Sequence, residues 1–398
     1  RVQWAVAGGY LLLLAVPAAL PLPGNQAFIW NDVTRFAQFV FWGVWWPGVV
    51  LATALFGRIW CGLLCPEGFL SETVSGQGRG HALPRWLLWG GWPTTAFITT
   101  TFYGQLTSVY QYPKPALLIL GGSTLCAMAV GWFYGRHKRV WCRYLCPASS
   151  VFGVLAKIAP LQFEVDPVAW KLSQARRDKP AAVNCAPMLP LRTMKGASGC
   201  HMCGRCAGFR SAIRLVLRSP SAEIVAAAGQ APQPQETVLI LFALTGLVTA
   251  CFRWSASPLF ASIRLGLADF AARHGLLDPL VLPLPWWMLT NYPERSDVML
   301  PLDAIALLIF LFAFALAMAA CLALLVALGN LCLGGWDAAR FHHLVQTLIP
   351  VTACGLFTGL LALPAEQFRI DGIGLAGLLQ VKWLLIPLSV LCCARLGY

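Results

Sequence analysis

The sequence predicts an all-α polytopic membrane protein with about eight transmembrane helices and one small irregular loop domain. Of its 398 residues, 58% are hydrophobic and only 11% are charged, and the mean hydropathy is +0.67. A typical soluble domain carries roughly 25% charged residues. Apolar segments near the roughly 20 residues needed to cross a bilayer recur along the chain, and basic residues concentrate in one stretch between them.

The apolar segments divide the chain into three parts. Four lie in 1–150 and four in 236–398, where a long loop at 256–302 separates the fifth span from the sixth. The stretch 151–235 is hydrophilic and punctuated by Pro and Gly, which predicts a loop domain that ends in a linker, AAAGQAPQPQE at 226–236. The predicted spans lie near 3–20, 36–56, 86–103, 115–134, 236–254, 303–328, 343–363 and 380–396.

Basic residues predict the orientation of these spans. Lys and Arg number 29, and 15 of them lie between Arg136 and Arg218, whereas 104–114 holds one and 256–302 holds three. The positive-inside rule therefore predicts that 135–235 is cytoplasmic and that 256–302 is periplasmic. No stretch interleaves aromatic and basic residues as nucleic-acid interfaces do. The net charge of +13 is thus attributed to the membrane orientation of the chain. Membrane lipid is the expected partner, and nucleic acid is not.

A nine-residue segment occurs twice, as RIWCGLLCP at 58–66 and as RVWCRYLCP at 139–147. Each copy presents two cysteines about one helical turn apart. Two thiolates cannot complete an iron–sulfur cluster, but two copies at the cytoplasmic ends of two spans supply four, so each copy is interpreted as half of one site. Pro66 and Pro147 predict that a helix begins after each second thiol, where free backbone N–H groups stabilise a thiolate cluster. The candidate ligands are Cys61, Cys65, Cys142 and Cys146.

Three arginines of the repeats, Arg58, Arg139 and Arg143, add positive charge around this site. Such surroundings raise the reduction potential of a cluster whose net negative charge grows on reduction. Four cysteines fit both [4Fe–4S] and [2Fe–2S] centres, so the cluster type stays open. The alternative for the repeat is a structural helix end at the membrane boundary. Trp60 and Trp141 are interpreted as packing residues and interface anchors rather than electron relays.

A second cysteine set lies in the hydrophilic stretch, as Cys200, Cys203 and Cys206 in C-x2-C-x2-C with Cys185 upstream. Three thiolates on one tight loop suit a cubane cluster, and Cys185 is the only other cysteine available there. A [4Fe–4S] centre is expected, with a three-ligand [3Fe–4S] centre as the main competitor. Zinc is disfavoured because zinc sites usually pair two C-x2-C units, and disulfides are disfavoured in the cytoplasm. His201 is expected either to be exposed or to lie next to the ligands without binding the metal itself.

The remaining candidates are assigned structural roles. Seven further cysteines lie in or beside spans and behave as small hydrophobes, and Trp286, Trp287 and Tyr292 are interpreted as interfacial anchors. A short helix is expected from Ser211 to Leu217. His342 and His343 begin the seventh span, and haem is not expected because no partner histidine faces them. The cysteines without an assigned role are Cys126, Cys251, Cys321, Cys332, Cys354, Cys392 and Cys393.

The motifs RIWCGLLCPEG and RVWCRYLCP in membrane hairpins, followed by a cysteine-triplet loop, resemble the membrane polyferredoxin superfamily. That superfamily includes the membrane subunits of periplasmic nitrate reduction and the nitrous-oxide-reductase maturation flavoprotein. CAPMLPLRTMKGASGCHMCGRC and the later LTNYP look most like the polyferredoxin component of bacterial ferrous-iron uptake systems. The resemblance covers the first 220 residues. C-x2-C-x2-C-x3-C-P runs and a periplasmic flavin domain are missing from the sequence.

The resemblance implies an electron-transfer subunit of the bacterial inner membrane that accepts electrons from periplasmic ferrous-iron oxidation. Its implied partners are an iron permease and periplasmic iron-binding or cupredoxin-like proteins. The alternative is electron transfer from quinol or the cytoplasm to a periplasmic reductase or metal-centre maturation system, with quinone as partner. A metal permease is disfavoured because acidic residues are scarce in the spans, and a scaffold subunit is the third class. No general acid–base pair or nucleophile triad marks a stand-alone enzyme.

Overall fold

The computed structural model describes residues 1–24, 26–176, 182–226, 233–374 and 376–397. Within these ranges six helices are long and apolar enough to cross a membrane, and they correspond to predicted spans one, two, four, five, six and seven. The prediction of an all-α, multi-pass membrane protein is confirmed. The spanning helices are α1 (Val2–Ala19), α2 (Val33–Phe56), α5 (Pro113–Tyr134), α10 (Pro234–Cys251), α13 (Pro301–Cys332) and α14 (Ala338–Ile370).

Nine further α-helices lie in the described ranges. They are α3 (Pro66–Ser75), α4 (Trp92–Leu106), α6 (Val140–Tyr144), α7 (Pro147–Leu155), α8 (Pro167–Ala175), α9 (Ala222–Ala226), α11 (Pro258–Arg273), α12 (Asp278–Val281) and α15 (Ala376–Gly397). The third predicted span corresponds to α4, which has 15 residues because Pro93 in its first turn starts the helix late. The eighth corresponds to α15, with 22 residues. The count of eight spans stays a prediction.

Small residues let the helices around the repeats approach closely. Helix α3 follows the first repeat and packs along α5, where Ser71 Oγ donates to Ala127 O at 2.8 Å. A Cβ added at Gly131 would lie 2.6 Å from Ser71 O, so only glycine fits at this crossing. From Leu239 onward, helix α10 is almost entirely apolar and lies in the interior, with Leu239, Ile240 and Leu247 fully buried.

The hydrophilic stretch is built around a two-stranded antiparallel sheet. Strand β1 (Leu161–Val165) pairs with β2 (Ile213–Leu217) in a register that places Phe163 opposite Leu215. The helix expected from Ser211 to Leu217 is therefore wrong, because the alternating IRLVL sequence pairs with LQFEV across the sheet instead of forming a turn of helix. The predicted linker at 226–236 lies mostly outside the described residues, since 227–232 are not among them.

The long loop between α10 and α13 begins with the amphipathic helix α11 and ends with a short hairpin of β3 (Asn291–Tyr292) and β4 (Asp297–Val298). The role of Tyr292 as an interfacial anchor is wrong. Its side chain is buried, and its ring stacks on Tyr112 with centroids 3.6 Å apart. The Tyr112 hydroxyl donates to Asp297 Oδ2 at 2.7 Å, so the hairpin is tied to the α4–α5 turn.

Candidate metal centres

The two copies of the repeat meet at one cavity. Cys61, Cys65, Cys142 and Cys146 all line it, although 81 residues separate the two copies. Cys61 and Cys142 are buried, and Cys65 and Cys146 are partly buried. The structure therefore brings the four predicted thiols to one cavity.

The helix starts predicted from the two prolines are confirmed. Pro66 opens α3 and Pro147 opens α7, so each second cysteine occupies the N-cap position of a helix. At the first copy the Gly68 N–H donates to Cys65 Sγ at 3.4 Å. Free N–H groups at helix N-termini favour negative charge, so both second thiols lie where a thiolate is stabilised.

The first arginine of each copy forms hydrogen bonds to the opposite half of the site. Arg139 of the second copy is 2% exposed, and its guanidinium donates to Cys61 O and Gly62 O of the first copy. Arg58 of the first copy donates from Nη2 to Ser149 Oγ, just beyond the second copy, at 2.8 Å. This reciprocal exchange is the physical reason for an arginine in each copy, because each guanidinium fastens the opposite half of the site. Arg143 is exposed instead.

Two glutamates are features that the sequence analysis missed. Glu67 accepts a hydrogen bond from Ser123 and lies 4.0 Å from Cys146 Sγ, so a carboxylate shares the thiol cavity. Glu72 pairs with Arg139 at 2.7 Å and also with Arg205 of the triplet loop. Glu67 could have been noticed in the sequence because it follows the first repeat at a position where the second repeat is followed by Ala148.

The second cysteine set surrounds a small cavity of about 20 Å³ in the loop domain. All four predicted residues, Cys185, Cys200, Cys203 and Cys206, line it with mostly apolar neighbours. The Leu189 N–H donates to Cys185 Sγ at 3.4 Å, and the Met202 N–H donates to Cys200 Sγ at 3.3 Å. Backbone donors directed at sulfur are the hydrogen bonds that tune iron–sulfur centres.

The triplet loop needs unusual backbone angles to present its thiols. Met202 and Gly204 have φ of 53° and 73°. Glycine adopts such angles without steric cost, whereas Met202 is held there by the surrounding structure. His201 lies between two ligand candidates but is buried rather than exposed, and its Nδ1 has no hydrogen-bond partner in the described ranges.

Burial controls the protonation of this set. It raises the pKa of Cys200 to about 12 and raises the pKa of Cys185 and Cys206, so the free thiols stay protonated at neutral pH. Burial, followed by nearby arginines, lowers the pKa of His201, which is therefore neutral. Iron must displace the thiol protons to bind, while a neutral histidine adds no further charge.

The sulfur arrangement suits a cluster better than a single ion. Across the described stretches, no group of three or more His, Cys, Asp or Glu side chains could hold one metal ion. A cubane cluster requires no such group, because it is ligated by four cysteines at its separate corners. Both cysteine sets are compatible with this requirement, since the four thiols of each set line one cavity and a backbone N–H group is directed at a sulfur in each.

The two cysteine sets are in direct backbone contact. A Cβ added at Gly62 would overlap His201 O and would lie 2.9 Å from Cys203 N. Glu72 bridges the sets through its pairs with Arg139 and Arg205. The Arg139 N–H also donates to Ala186 O, beside Cys185, at 2.8 Å. The repeats and the triplet loop therefore form one structural unit.

Comparison with known proteins bears on the repeats alone. A family model described as a 4Fe-4S binding domain matches residues 38–89 and 120–164, which contain both copies of the repeat. The fold and this match define a multi-pass membrane protein with an iron–sulfur cluster-binding region.

One relative is an Escherichia coli (strain K12) protein named "Putative electron transport protein YccM", which is 24% identical over 203 residues. The match covers 44% of this chain and 55% of that protein, so the chain spans about half of the relative's length. No solved structure matches.

Proposed function

We propose that this protein is an inner-membrane electron-transfer subunit with two iron–sulfur clusters. Cys61, Cys65, Cys142 and Cys146 hold one cluster, and the other is held by Cys185 with the triplet Cys200, Cys203 and Cys206. The backbone contact of Gly62 with the triplet loop carries this proposal. Two clusters in adjacent sites allow electrons to pass from one to the other. A cluster with a purely structural role needs no second cluster beside it. The name of the relative, an electron transport protein, supports the same class.

The protein supplies containment and charge around these sites. A bound cluster takes up or releases one electron at a time, and [4Fe–4S] is the type that the family match favours at the repeats, with [2Fe–2S] as the other four-cysteine type. Arg139 and Arg58 place buried positive charge beside the repeat thiols. That charge favours the reduced form of a thiolate cluster, and burial keeps water from the sulfurs.

Both cysteine sets are proposed to lie at the cytoplasmic face, because 15 of the 29 Lys and Arg residues lie between Arg136 and Arg218. A reporter fused at Gln233 should behave as cytoplasmic, and the same reporter at Asn291 should behave as periplasmic. The hydrogen bond from Gly68 N–H to Cys65 Sγ does not depend on which way the chain is oriented in the membrane. The reverse reporter pattern would therefore overturn the assigned side of the membrane and leave the two sites intact.

The physiological electron source is proposed to be ferrous iron outside the inner membrane. Each Fe²⁺ that becomes Fe³⁺ for a ferric permease releases one electron, and this chain is the proposed acceptor. The resemblance of the triplet loop and LTNYP to iron-uptake polyferredoxins supports this, with an iron permease and periplasmic iron-binding or cupredoxin-like proteins as partners. The LTNYP segment contains Tyr292, which the Tyr112 stack holds at the predicted periplasmic end.

The test is reconstitution with those partners in liposomes under anaerobic conditions. Adding ferrous iron should reduce the clusters, seen as bleaching of their visible absorbance, together with iron uptake. Both should be lost in Cys61→Ser and Cys203→Ser and kept in Cys126→Ser, which alters a cysteine outside both sets. Normal uptake in both motif variants would refute the proposal and favour a permease or scaffold role.

Electron flow in the opposite direction is the second candidate. Quinol or a cytoplasmic donor would then reduce a periplasmic reductase or a metal-centre maturation system. The observation that favours it is the large apolar cavity beside the repeat thiols, which offers room for a lipid-soluble reductant. Cluster reduction by quinol without ferrous iron in the same liposomes would select this direction.

A further inference from the structure

A mostly buried glutamate of the loop domain is bonded to the segment that precedes the cysteine triplet. Glu223 lies in the first turn of α9, and its side chain is 11% exposed. Its two carboxylate oxygens accept the backbone N–H groups of Ala197 at 2.7 Å and of Ser198 at 3.2 Å. Ser198 lies two residues before Cys200, so this carboxylate fixes the backbone that leads directly into the triplet.

Arg218 connects this carboxylate to the end of the helix that follows the second repeat. Its guanidinium pairs with Glu223 at 2.7 Å, and its side chain is also buried. The same guanidinium donates to three backbone oxygens just beyond the last residue of α7, namely Ala156 O, Lys157 O and Ala159 O. Charge-assisted hydrogen bonds of this kind are shorter and stronger than neutral ones. Glu223 is therefore held in a fixed position relative to α7.

The first repeat holds the same segment from the other side. Arg58 donates from Nη1 to Ser198 O at 3.1 Å, while its Nη2 donates to Ser149 Oγ. Both backbone groups of Ser198 are thus bonded, since its N–H donates to Glu223 and its C=O accepts from Arg58. One carboxylate and one guanidinium therefore fix the start of the triplet loop relative to both repeats.

A glycine makes room for this carboxylate. Gly196 has a φ of 75°, and a Cβ added there would overlap the carboxyl group of Glu223. Glycine adopts such an angle without steric cost. Any larger residue at this position would push the carboxyl group away from the N–H groups of Ala197 and Ser198. The glycine is therefore required by the contact with Glu223 and not only by the turn of the chain.

The charge of Glu223 acts close to the triplet thiols. Two residues span at most about 7 Å of extended chain, so the Ser198 N–H that Glu223 accepts is near Cys200. Reduction adds one negative charge to a thiolate cluster, which a neighbouring carboxylate opposes and an unpaired guanidinium favours. Removing the Glu223 carboxylate would leave Arg218 as such an unpaired guanidinium.

We infer that Glu223 is a positioning residue for the triplet cluster, which fixes the loop before Cys200 and lowers the reduction potential of that cluster. This inference rests on the proposed function, because it requires a cluster at the triplet set. It adds a residue that acts on the cluster through the backbone and through its charge, without binding iron. Arg58 and Arg218 hold the two ends of the same arrangement.

The test is a redox titration of the anaerobically purified full chain, followed by low-temperature electron paramagnetic resonance. Glu223→Gln keeps the size of the side chain and removes its charge and one acceptor oxygen. The triplet signal should change shape, and the ratio of reduced to oxidised triplet cluster at a fixed potential should rise about fivefold, as expected for one unit charge at roughly 15 Å and an effective dielectric constant near 20. The repeat signal should keep its shape. Glu164→Gln is the matched control, because Glu164 pairs with Arg214 in an exposed contact of the same domain.

A second variant separates position from charge. Gly196→Ala should displace the carboxyl group and keep its charge, so the triplet signal should change shape while the reduced fraction rises less than in Glu223→Gln. Gly275→Ala is its control, since Gly275 has a φ of 69° and an added Cβ there would meet nothing within 4 Å. Glu223→Asp keeps the charge on a shorter side chain and should recover part of the wild-type ratio.

An unchanged triplet signal and potential in both Glu223→Gln and Gly196→Ala would overturn the inference, and so would equal changes in the two control variants. Loss of the triplet iron alone in Glu223→Gln would support it. If Glu223→Gln lost both clusters, Gly196→Ala and Glu223→Asp would decide by the same readouts. The proposed function fails on different data, namely normal iron uptake in the cysteine variants. A wild-type triplet signal that does not depend on Glu223 would therefore reject this inference alone.

Discussion

Changing Cys142 to Ser should halve the iron content of the anaerobically purified protein. Two sets of four cysteines, each holding [4Fe–4S], give about eight irons per chain, and the variant should retain about four. The physical reason is that Cys142 belongs to the repeat cavity and not to the triplet cavity. Iron analysis and low-temperature electron paramagnetic resonance of the reduced protein measure both the number and the identity of the remaining clusters.

Two variants bracket this result. Cys203→Ser should remove the other half of the iron and the other resonance signal, and Cys126→Ser should remove neither, since that cysteine is exposed on α5 and outside both sets. A wild-type value near six irons would assign [2Fe–2S] to one site. If Cys142→Ser and Cys203→Ser abolished the same signal and spared the same other one, the division of the eight cysteines would be wrong.

Gly62→Ala should separate the two cysteine sets. The added methyl would overlap His201 O and lie 2.9 Å from Cys203 N. Overpacking typically costs about 1–3 kcal/mol, and here the obstructing atoms are backbone, which cannot rotate away as a side chain does. The triplet loop must therefore move off the first repeat. We expect the magnetic interaction between the two reduced clusters to weaken strongly while each set of thiols remains present.

The control is Gly48→Ala. Gly48 lies in α2, and a Cβ there would meet nothing within 4 Å. It tests whether any added methyl in this part of the membrane domain has the same effect. Unchanged magnetic interaction in Gly62→Ala, with a normal iron content, would show that the contact does not bring the clusters together.

The membrane spans and the helix starts were predictable from the sequence because each depends on a short segment of the chain. Each span is encoded by its own apolar run, and lipid forces every backbone group of that run into helical hydrogen bonds. The helix starts at Pro66 and Pro147 follow from the fixed φ of proline and its missing N–H. Where local patterning was ambiguous, prediction failed. The IRLVL segment became a strand because LQFEV, about 50 residues earlier, pairs with it across the sheet.

The sequence by itself determined the membrane class, the helices that carry the repeats and the identity of the candidate thiols, because composition, periodicity and cysteine spacing are properties of short segments. Only the tertiary structure decided how those segments meet. Arg139 reaches the carbonyl groups of the opposite repeat, Glu72 joins Arg139 to Arg205, and Gly62 admits the backbone of the triplet loop. These contacts join positions 67 to 141 residues apart. No local pattern encodes them, because each depends on the packing of helices that are distant in the chain.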